Sequence, residues 1–128
     1  MLTRTETARP SRADAPSASG PLALRHLDTI RGSLDSDSAI AEVLGVSPSQ
    51  VSRWRKGQTP DPENADRLAG LALVVEMLGR WLHREVILDW LLGPNAHLAD
   101  RSPAFVLRHG QVAEAVAAVE ALKAGVFA

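Results

Sequence analysis

The sequence has 128 residues, no cysteine, and 14 lysines and arginines against 15 aspartates and glutamates, which leaves a formal charge of −1 at pH 7. This length allows one ordinary hydrophobic core or two small subdomains that share one, and the lack of cysteine excludes a disulfide framework, a thiolate metal site and a thiol nucleophile. The near-neutral charge argues against a generic polyanion binder, because nonspecific affinity for nucleic acids comes mainly from cationic side chains, although a local basic face is still possible.

Residues 1–20 form the first segment and are rich in Thr, Ser, Ala, Arg and Pro. They hold too few large apolar side chains to offset the entropy of ordering, which predicts a disordered tail. Its Arg4, Arg9 and Arg12 are either simply solvated or in contact with DNA phosphates. The segment lacks the apolar core of a signal peptide, and no apolar run approaches the roughly 20 residues that span a bilayer. We therefore expect a soluble cytoplasmic protein with no membrane contact.

The chain after Gly20 is punctuated as helices and short turns. Three boundaries place a capping residue before a proline at the first helical position, where the cap accepts an otherwise unpaired amide hydrogen and proline loses no hydrogen bond. They are Ser47–Pro48, Asp61–Pro62 and Ser102–Pro103. Helix stops are predicted at Gly57, Gly93 and Gly110. No stretch alternates apolar and polar residues with a period of two, so the predicted fold class is all-α.

Two subdomains are predicted, joined by a long central helix. Residues 21–60 form the first, and residues 37–56 within it match the helix-turn-helix pattern. Gly45 supplies the left-handed turn at no steric cost, and Gln50 is expected to complete a capping box with Ser47. The inward-facing positions are predicted to be Ile40, Ala41, Leu44, Val46, Val51 and Trp54. The alternative is an α-hairpin that has kept this fold without binding DNA.

The outer face of the second helix in this motif is polar and cationic. We predict that it contacts operator DNA through Ser49, Gln50, Ser52, Arg53, Arg55 and Lys56. Arginine can bind guanine bidentately, glutamine can bind adenine, and serine can bind either base or phosphate. Three cations and no acid occur between residues 47 and 56, which is a modest local charge. A dimer or larger assembly on paired half-sites is therefore expected.

The central helix follows Asp61–Pro62 and is apolar on more than one side. One stripe at helical spacing consists of Leu68, Leu71, Val75, Leu78 and Leu82, and a second consists of Leu73, Met77 and Trp81. A surface helix needs only one apolar stripe. We therefore predict that this helix joins the two subdomains and also packs against a second subunit.

The last helix carries two stripes and an apolar end. Val112, Val116, Val119 and Leu122 are predicted to face the core, and the second stripe consists of Ala113, Ala117, Ala121 and Ala124. The alanines either accept a partner helix or reflect helix propensity alone. Gly125 is predicted to stop the helix, so that Val126, Phe127 and Ala128 project beyond it. Such an apolar end either folds back on the core or binds a partner.

Catalytic chemistry has no support in the sequence. The histidines are His26, His83, His97 and His109, and none has a second ligand at metal-binding spacing. Ser102 is explained as a helix cap, and no glycine-rich phosphate loop is present. We predict no enzymatic activity, no metal and no cofactor.

The stretch from Trp90 onward resembles the toxin-binding C-terminal domain of the Xre/MbcA/ParS-type antitoxin family. The matching positions are Trp90–Leu91, Pro94–Asn95, Leu98, Ser102–Pro103, Gly110 and Gly125. The resemblance extends back through the helix-turn-helix and covers about residues 22–128. Two departures are the family's Gly-Gly turn, which is Ala99–Asp100 here, and the aromatic that precedes the Trp-Leu helix, which appears as Trp81.

This resemblance implies a function and a set of site residues. Residues 61–128 would contain the toxin-binding domain, whose partner is a RES-domain toxin that consumes NAD. Toxin contact would involve Trp90 and Asn95, and an inhibitory tail would reach the toxin's NAD pocket through Gly125, Val126, Phe127 and Ala128. The helix-turn-helix would let the complex repress its own promoter. The alternative is a stand-alone helix-turn-helix regulator whose C-terminal domain only dimerises or senses a ligand.

Overall fold

The computed structural model describes the backbone of residues 19–127 and the side chains of residues 20–125. The predicted tail lies outside this range except for its last two residues, which begin the first helix. Ala128 also lies outside it. The described residues form only helices and turns, which confirms the all-α fold class.

Seven α-helices follow one another in the described part of the chain. They are α1 (Ser19–Arg31), α2 (Asp37–Leu44), α3 (Pro48–Arg55), α4 (Pro62–Gly79), α5 (Arg84–Leu92), α6 (Pro103–Arg108) and α7 (Val112–Phe127). A short 3₁₀ turn, Ala96–Leu98, lies between α5 and α6. Helix α4 is the central element, because it contacts α1 from the first half of the chain and α5, α6 and α7 from the second. Both halves of the chain therefore share one core.

The three predicted caps are confirmed at the starts of α3, α4 and α6. The amide hydrogens of Gln50 and Phe105 are accepted by Ser47 Oγ at 3.2 Å and Ser102 Oγ at 3.0 Å, and Asp61 accepts from the Asn64 amide. The reciprocal half of the predicted capping box is wrong. The Gln50 side-chain oxygen accepts from Arg53, one turn further along, because a charged guanidinium is a stronger donor than the backbone amide of Ser47.

The first predicted apolar stripe of α4 lies in the core, except at its end. Leu68, Leu71, Val75 and Leu78 are buried. The helix ends at Gly79, however, so Leu82 and Trp81 lie in the turn that follows it rather than on the helix. Leu73, from the second stripe, is exposed over 45% of its surface.

The predicted core face of α7 is confirmed, because Val119 is buried and Val112, Val116 and Leu122 are partly buried against the core. Ala115 and Ala118 are also buried, which the apolar spacing did not predict. The 3₁₀ turn and α6 pack against this side of α7, and small alanines allow that close approach. Ala113, Ala117 and Ala124 of the predicted small-residue stripe are exposed, and Ala121 is half-buried.

Gly125 does not stop α7, which continues to Phe127. Glycine ends a helix when it takes a left-handed conformation, and Gly125 is not among the residues with positive φ. Val126 and Phe127 therefore belong to the last turn of the helix. Their side chains lie outside the described residues.

Candidate functional site

The turn between α2 and α3 has the geometry of a helix-turn-helix. Gly45 takes the left-handed conformation, with φ of 74°, and its amide donates to Ala41 O at 2.8 Å. Val51 and Trp54 are buried at 0% and 1% exposure, which fixes the inner face of α3. Trp54 is therefore a core residue and not a base-stacking platform. Ile40, Ala41 and Leu44 of α2 are buried as predicted.

The outer face of α3 presents most of the predicted DNA-binding residues together. Ser49, Arg53 and Lys56 are exposed, and Gln50 and Ser52 are half-buried. Ser49 Oγ lies 3.1 Å from Ser47 Oγ, within hydrogen-bonding distance. The face is thus a short polar ridge that contains two exposed cations.

The Arg53 guanidinium is held between two glutamines. Its Nη2 donates to Gln50 Oε1 at 3.2 Å, and its Nε donates to Gln58 Oε1 at 3.3 Å. Two of its five N–H groups are used in this way, and the head is held in place before any ligand binds. Gln58 is not one of the residues predicted from the sequence to contact DNA. The available signal was Gly57, whose φ of 109° lets the following residue fold back on α3.

Arg55 differs from the other five predicted DNA-binding residues, because it forms an ion pair with α2. Its Nη2 and Nε donate to Asp37 Oδ1 at 2.6 and 3.2 Å, which joins the end of α3 to the start of α2. The hydrogen bond from Arg55 lowers the pKa of Asp37, with burial opposing it and the positive charges of Arg55 and Arg31 adding to it. In this structure Arg55 is a brace within the helix-turn-helix.

Arg108 ties the C-terminal half of the chain to the helix-turn-helix. Its Nε donates to Val43 O at 2.9 Å and its Nη2 donates to Glu42 O, so it closes carbonyls at the C-terminal end of α2. A Cβ at Gly45 would lie 3.0 Å from Arg108 Cδ, which gives a second reason for glycine at the turn. Arg108 and its partners are more than 60 residues apart in the chain, so no local sequence pattern predicts this contact.

A groove of about 350 Å³ lies between α5, the loop after it and α7. It brings together Trp90, Asn95 and Gly125, which were predicted to contact a toxin. Its other lining residues include Pro94, His97, Ala121 and Leu122. Trp90 is half-buried and leaves part of its ring to the groove. The predicted tail residues Val126 and Phe127 form the end of α7, and their side chains lie outside the described residues. Ala128 lies outside them entirely.

The loop beside this groove is organised by Asn95. Its side-chain oxygen accepts from the His97 amide, and its carbonyl accepts from the amides of Leu98 and Asp100, each at 2.9 Å. Arg101 then donates from Nε to Leu98 O and from Nη2 to Glu114 Oε1 of α7, each at 2.7 Å. Asn95 thus has a clear structural task, and Arg101 anchors the loop to the helix that forms the opposite wall.

Two residues in this loop have a left-handed backbone. Ala99 and Asp100 have φ of 56° and 66°, and no other described non-glycine residue has a positive φ. Both occupy the place of the Gly-Gly turn noted above. The loop therefore has the left-handed backbone conformation that favours glycine, although neither residue is a glycine.

No other site chemistry is evident in the described residues. Within residues 20–125, no three His, Asp or Glu side chains lie together as a group able to hold a metal ion. No helix in the described range combines the length and apolar character needed to cross a membrane.

The chain is similar to known proteins both in its helix-turn-helix and over most of its length. A family model described as helix-turn-helix matches residues 36–71. Two relatives, from Mycobacterium tuberculosis and Mycobacterium bovis, are each named mycobacterial cidal antitoxin MbcA; each is 35% identical over 89 residues, which is 69% of this chain and 79% of the relative. A chain in the crystal structure of the M. tuberculosis MbcT–MbcA toxin–antitoxin complex matches with a TM-score of 0.63 and 31% identity, over 84% of this chain and 97% of that one.

Proposed function

The chain belongs to the MbcA family of antitoxins, and we propose that it binds and inhibits a RES-domain toxin that consumes NAD, as the antitoxin of a type II pair. The observation that carries this proposal is the groove of about 350 Å³ that gathers Trp90, Asn95 and Gly125. These are the residues that the family resemblance assigns to toxin contact. The MbcT–MbcA complex, which contains a similar chain, supports a protein toxin as the partner of this chain.

The chemistry of the groove suits a protein partner. Trp90 and Leu122 supply partly buried apolar surface, and Asn95 and His97 lie at the rim. Protein interfaces combine an apolar centre with a polar rim, and tryptophan is enriched among the residues that contribute most to binding. Because Arg101 and Asn95 fix the loop, little conformational entropy is lost when a partner binds.

Co-expression tests the proposed pairing. We expect that the neighbouring gene encodes a toxin that stops growth when expressed alone, that this chain restores growth, and that the two proteins co-purify. If the neighbouring product is harmless and does not bind the chain, the stand-alone regulator is the better account.

Inhibition is proposed to act through the end of α7. The helix runs beside the groove and continues through Phe127, which supports a direct path from the toxin-binding surface to the toxin's NAD pocket. The residues after Gly125 would enter that pocket and exclude NAD by occupancy.

Deletion of residues 126–128 separates this role from a structural one. Inhibition of NAD consumption should fall much more than affinity for the toxin, because the groove is intact. If the melting temperature of the free protein falls and inhibition per folded molecule is unchanged, the segment closes the protein's own core instead.

The helix-turn-helix is proposed to repress the operon that encodes the pair. The exposed ridge of α3 supports this, because Arg53 is held in place at its centre by Gln50 and Gln58. Combined Arg53→Ala and Gln50→Ala substitutions should weaken binding to the promoter fragment by about 1–3 kcal/mol per lost bidentate contact. Toxin inhibition should be unchanged. Lys123→Ala, which removes an exposed cation on α7, is the control, and equal promoter binding by the double variant and the parent would refute the role of this face.

A further inference from the structure

The turn after α3 brings Gln58 back onto the outer face of that helix. The Gly57 amide donates to Trp54 O and the Gln58 amide donates to Arg53 O, each at 3.0 Å. This pair of hydrogen bonds is a Schellman motif, and it requires the left-handed backbone that Gly57 takes, with φ of 109°. Gln58 therefore lies next to Arg53 because of the backbone, and its side chain adds the hydrogen bond from Arg53 Nε at 3.3 Å. We call the exposed ridge of α3, which consists of Ser49, Gln50, Ser52, Arg53 and Lys56, the α3 ridge.

The Arg53 guanidinium determines which end of each glutamine amide is left for a ligand. Gln50 Oε1 and Gln58 Oε1 both accept from Arg53. Arginine has five N–H donors and no acceptor, so an amide nitrogen cannot take either place. Both amide oxygens are thus turned towards Arg53, and the NH₂ group is the outer end of each amide. Within the described residues, both N–H groups on Arg53 Nη1 and one on Nη2 are left for a ligand.

The centre of the α3 ridge therefore presents hydrogen-bond donors. They are the remaining N–H groups of Arg53 and the NH₂ group of Gln50, and the ammonium group of Lys56 is exposed on the same helix end. On the major-groove edge guanine presents two acceptors, O6 and N7, whereas adenine combines the N7 acceptor with an N6 donor. Cytosine presents a donor, and thymine presents one acceptor beside a methyl group. Guanine is the base whose edge matches a centre made of donors.

We propose that the α3 ridge recognises guanine in the major groove through Arg53, and that Gln58 is the positioning residue for this contact. Gln58 occupies Nε, so a base meets the Nη1 end of the guanidinium. A side chain that is held in place before binding loses less rotamer entropy when the base binds. Without Gln58, the Arg53 head is free to contact phosphates, which carry no sequence information. The inference rests on the proposed DNA binding by α3 and names the base that this helix recognises.

Modified bases test the choice of guanine. The promoter fragment of the proposed operon is prepared once with 7-deazaguanine in place of guanine and once with 7-deazaadenine in place of adenine, so that each fragment lacks one kind of N7 acceptor. In fluorescence anisotropy with the full chain, the 7-deazaguanine fragment should bind about tenfold or more weakly than the unmodified fragment, and the 7-deazaadenine fragment less than about twofold more weakly. An equal or larger loss with 7-deazaadenine would overturn the proposal.

Substitution of Gln58 tests the positioning role. In Gln58→Ala, the loss caused by 7-deazaguanine should shrink to about threefold or less, while affinity for a fragment of scrambled sequence should be no lower than in the parent. Damage to the fold would lower both affinities. Gln58→Glu keeps an accepting oxygen for Arg53 and should keep the full loss with 7-deazaguanine. Gln111→Ala, at an exposed position before α7, is the matched control and should behave as the parent. An undiminished loss in Gln58→Ala would show that Gln58 does not position Arg53.

The unmodified fragment separates this inference from the proposed repression. If the parent chain binds the unmodified fragment and both modified fragments equally well, repression stands and the recognition of guanine is wrong. If the parent does not bind the unmodified fragment, both the repression and this inference are wrong. Neither result affects the proposed toxin inhibition, which uses the groove beside Trp90.

Discussion

Ala99 and Asp100 place backbone strain in the loop beside the groove. A left-handed backbone costs an ordinary residue about 1–2 kcal/mol, and both residues have positive φ. Ala99→Gly should raise the free energy of unfolding by about 0.5–1 kcal/mol, because the relief of strain exceeds the extra entropy of glycine in the unfolded chain.

Urea unfolding measures the effect of Ala99→Gly. Ala113→Gly on the exposed face of α7 is the control, and it should lower the free energy of unfolding by about 0.5–1 kcal/mol. A loss of stability in both variants would show that the loop carries no strain at Ala99.

Asp37 should give the helix-turn-helix a defined dependence on pH. The Arg55 hydrogen bond lowers its pKa from the ordinary value of 3.8. A carboxylate with a lowered pKa contributes stability above its unfolded pKa, and that contribution is lost as the pH falls through the folded pKa. Asp37→Asn should therefore cost roughly 1 kcal/mol near neutral pH, and the difference from the parent should shrink below pH 3.8.

Denaturant unfolding at several pH values tests the role of Asp37. Asp28→Asn removes an exposed carboxylate with no ion pair among the described residues, and it should change stability by less than about 0.5 kcal/mol. A deficit in Asp37→Asn that is constant from pH 7 to pH 3 would contradict the ion-pair account.

Among the elements, features set by short-range chemistry were predictable from sequence. The caps at Ser47, Asp61 and Ser102 and the left-handed Gly45 depend on residues within one turn, so the pattern predicted the helix starts and the motif correctly. The all-α class followed from the same punctuation. The inner faces of α2 and α3 were predictable because the helix-turn-helix fixes its own packing.

Features set by distant contacts were not predictable. Ala115 and Ala118 of α7 are buried on a helix that α6 and the 3₁₀ turn contact, and the apolar spacing alone did not predict their burial. The glycine at 125 was read as a stop although nothing there forces a left-handed backbone. Arg55 was assigned to DNA because its partner, Asp37, belongs to another helix. The groove joins Trp90 to Gly125 only after α5 and α7 pack together.

The contact between α6 and α2 is the element-level feature that we expect to matter most for stability. Arg108→Met keeps an apolar stem over Gly45 but removes the donors to Val43 O and Glu42 O. The variant should lose about 1–3 kcal/mol of unfolding free energy, because charge-assisted hydrogen bonds are lost and carbonyls are left unpaired.

Thermal and urea unfolding check the Arg108 contact. Arg25→Met, at an exposed position on α1, is the matched control and should be nearly neutral. Equal stability of both variants would mean that Arg108 does not hold the two halves together.

At the scale of the whole molecule, one core supports two separate surfaces. The α3 ridge and the groove beside Trp90 lie on different elements. Helix α4 links them, because it contacts α1, which packs on α3, and it also contacts α5 and α7. This arrangement allows substitutions that affect one surface only. The central claim, that the groove binds and inhibits a toxin, can therefore be tested without loss of the fold.

The most direct test measures NAD consumption by the purified toxin as this chain is titrated into it. Ala121→Arg places a long charged side chain in the groove from a half-buried position. Ala113→Arg adds the same side chain to an exposed position two turns earlier on α7. We predict that the parent and Ala113→Arg inhibit the toxin equally, and that Ala121→Arg, with an unchanged melting temperature, does not. Full inhibition by Ala121→Arg would contradict the account.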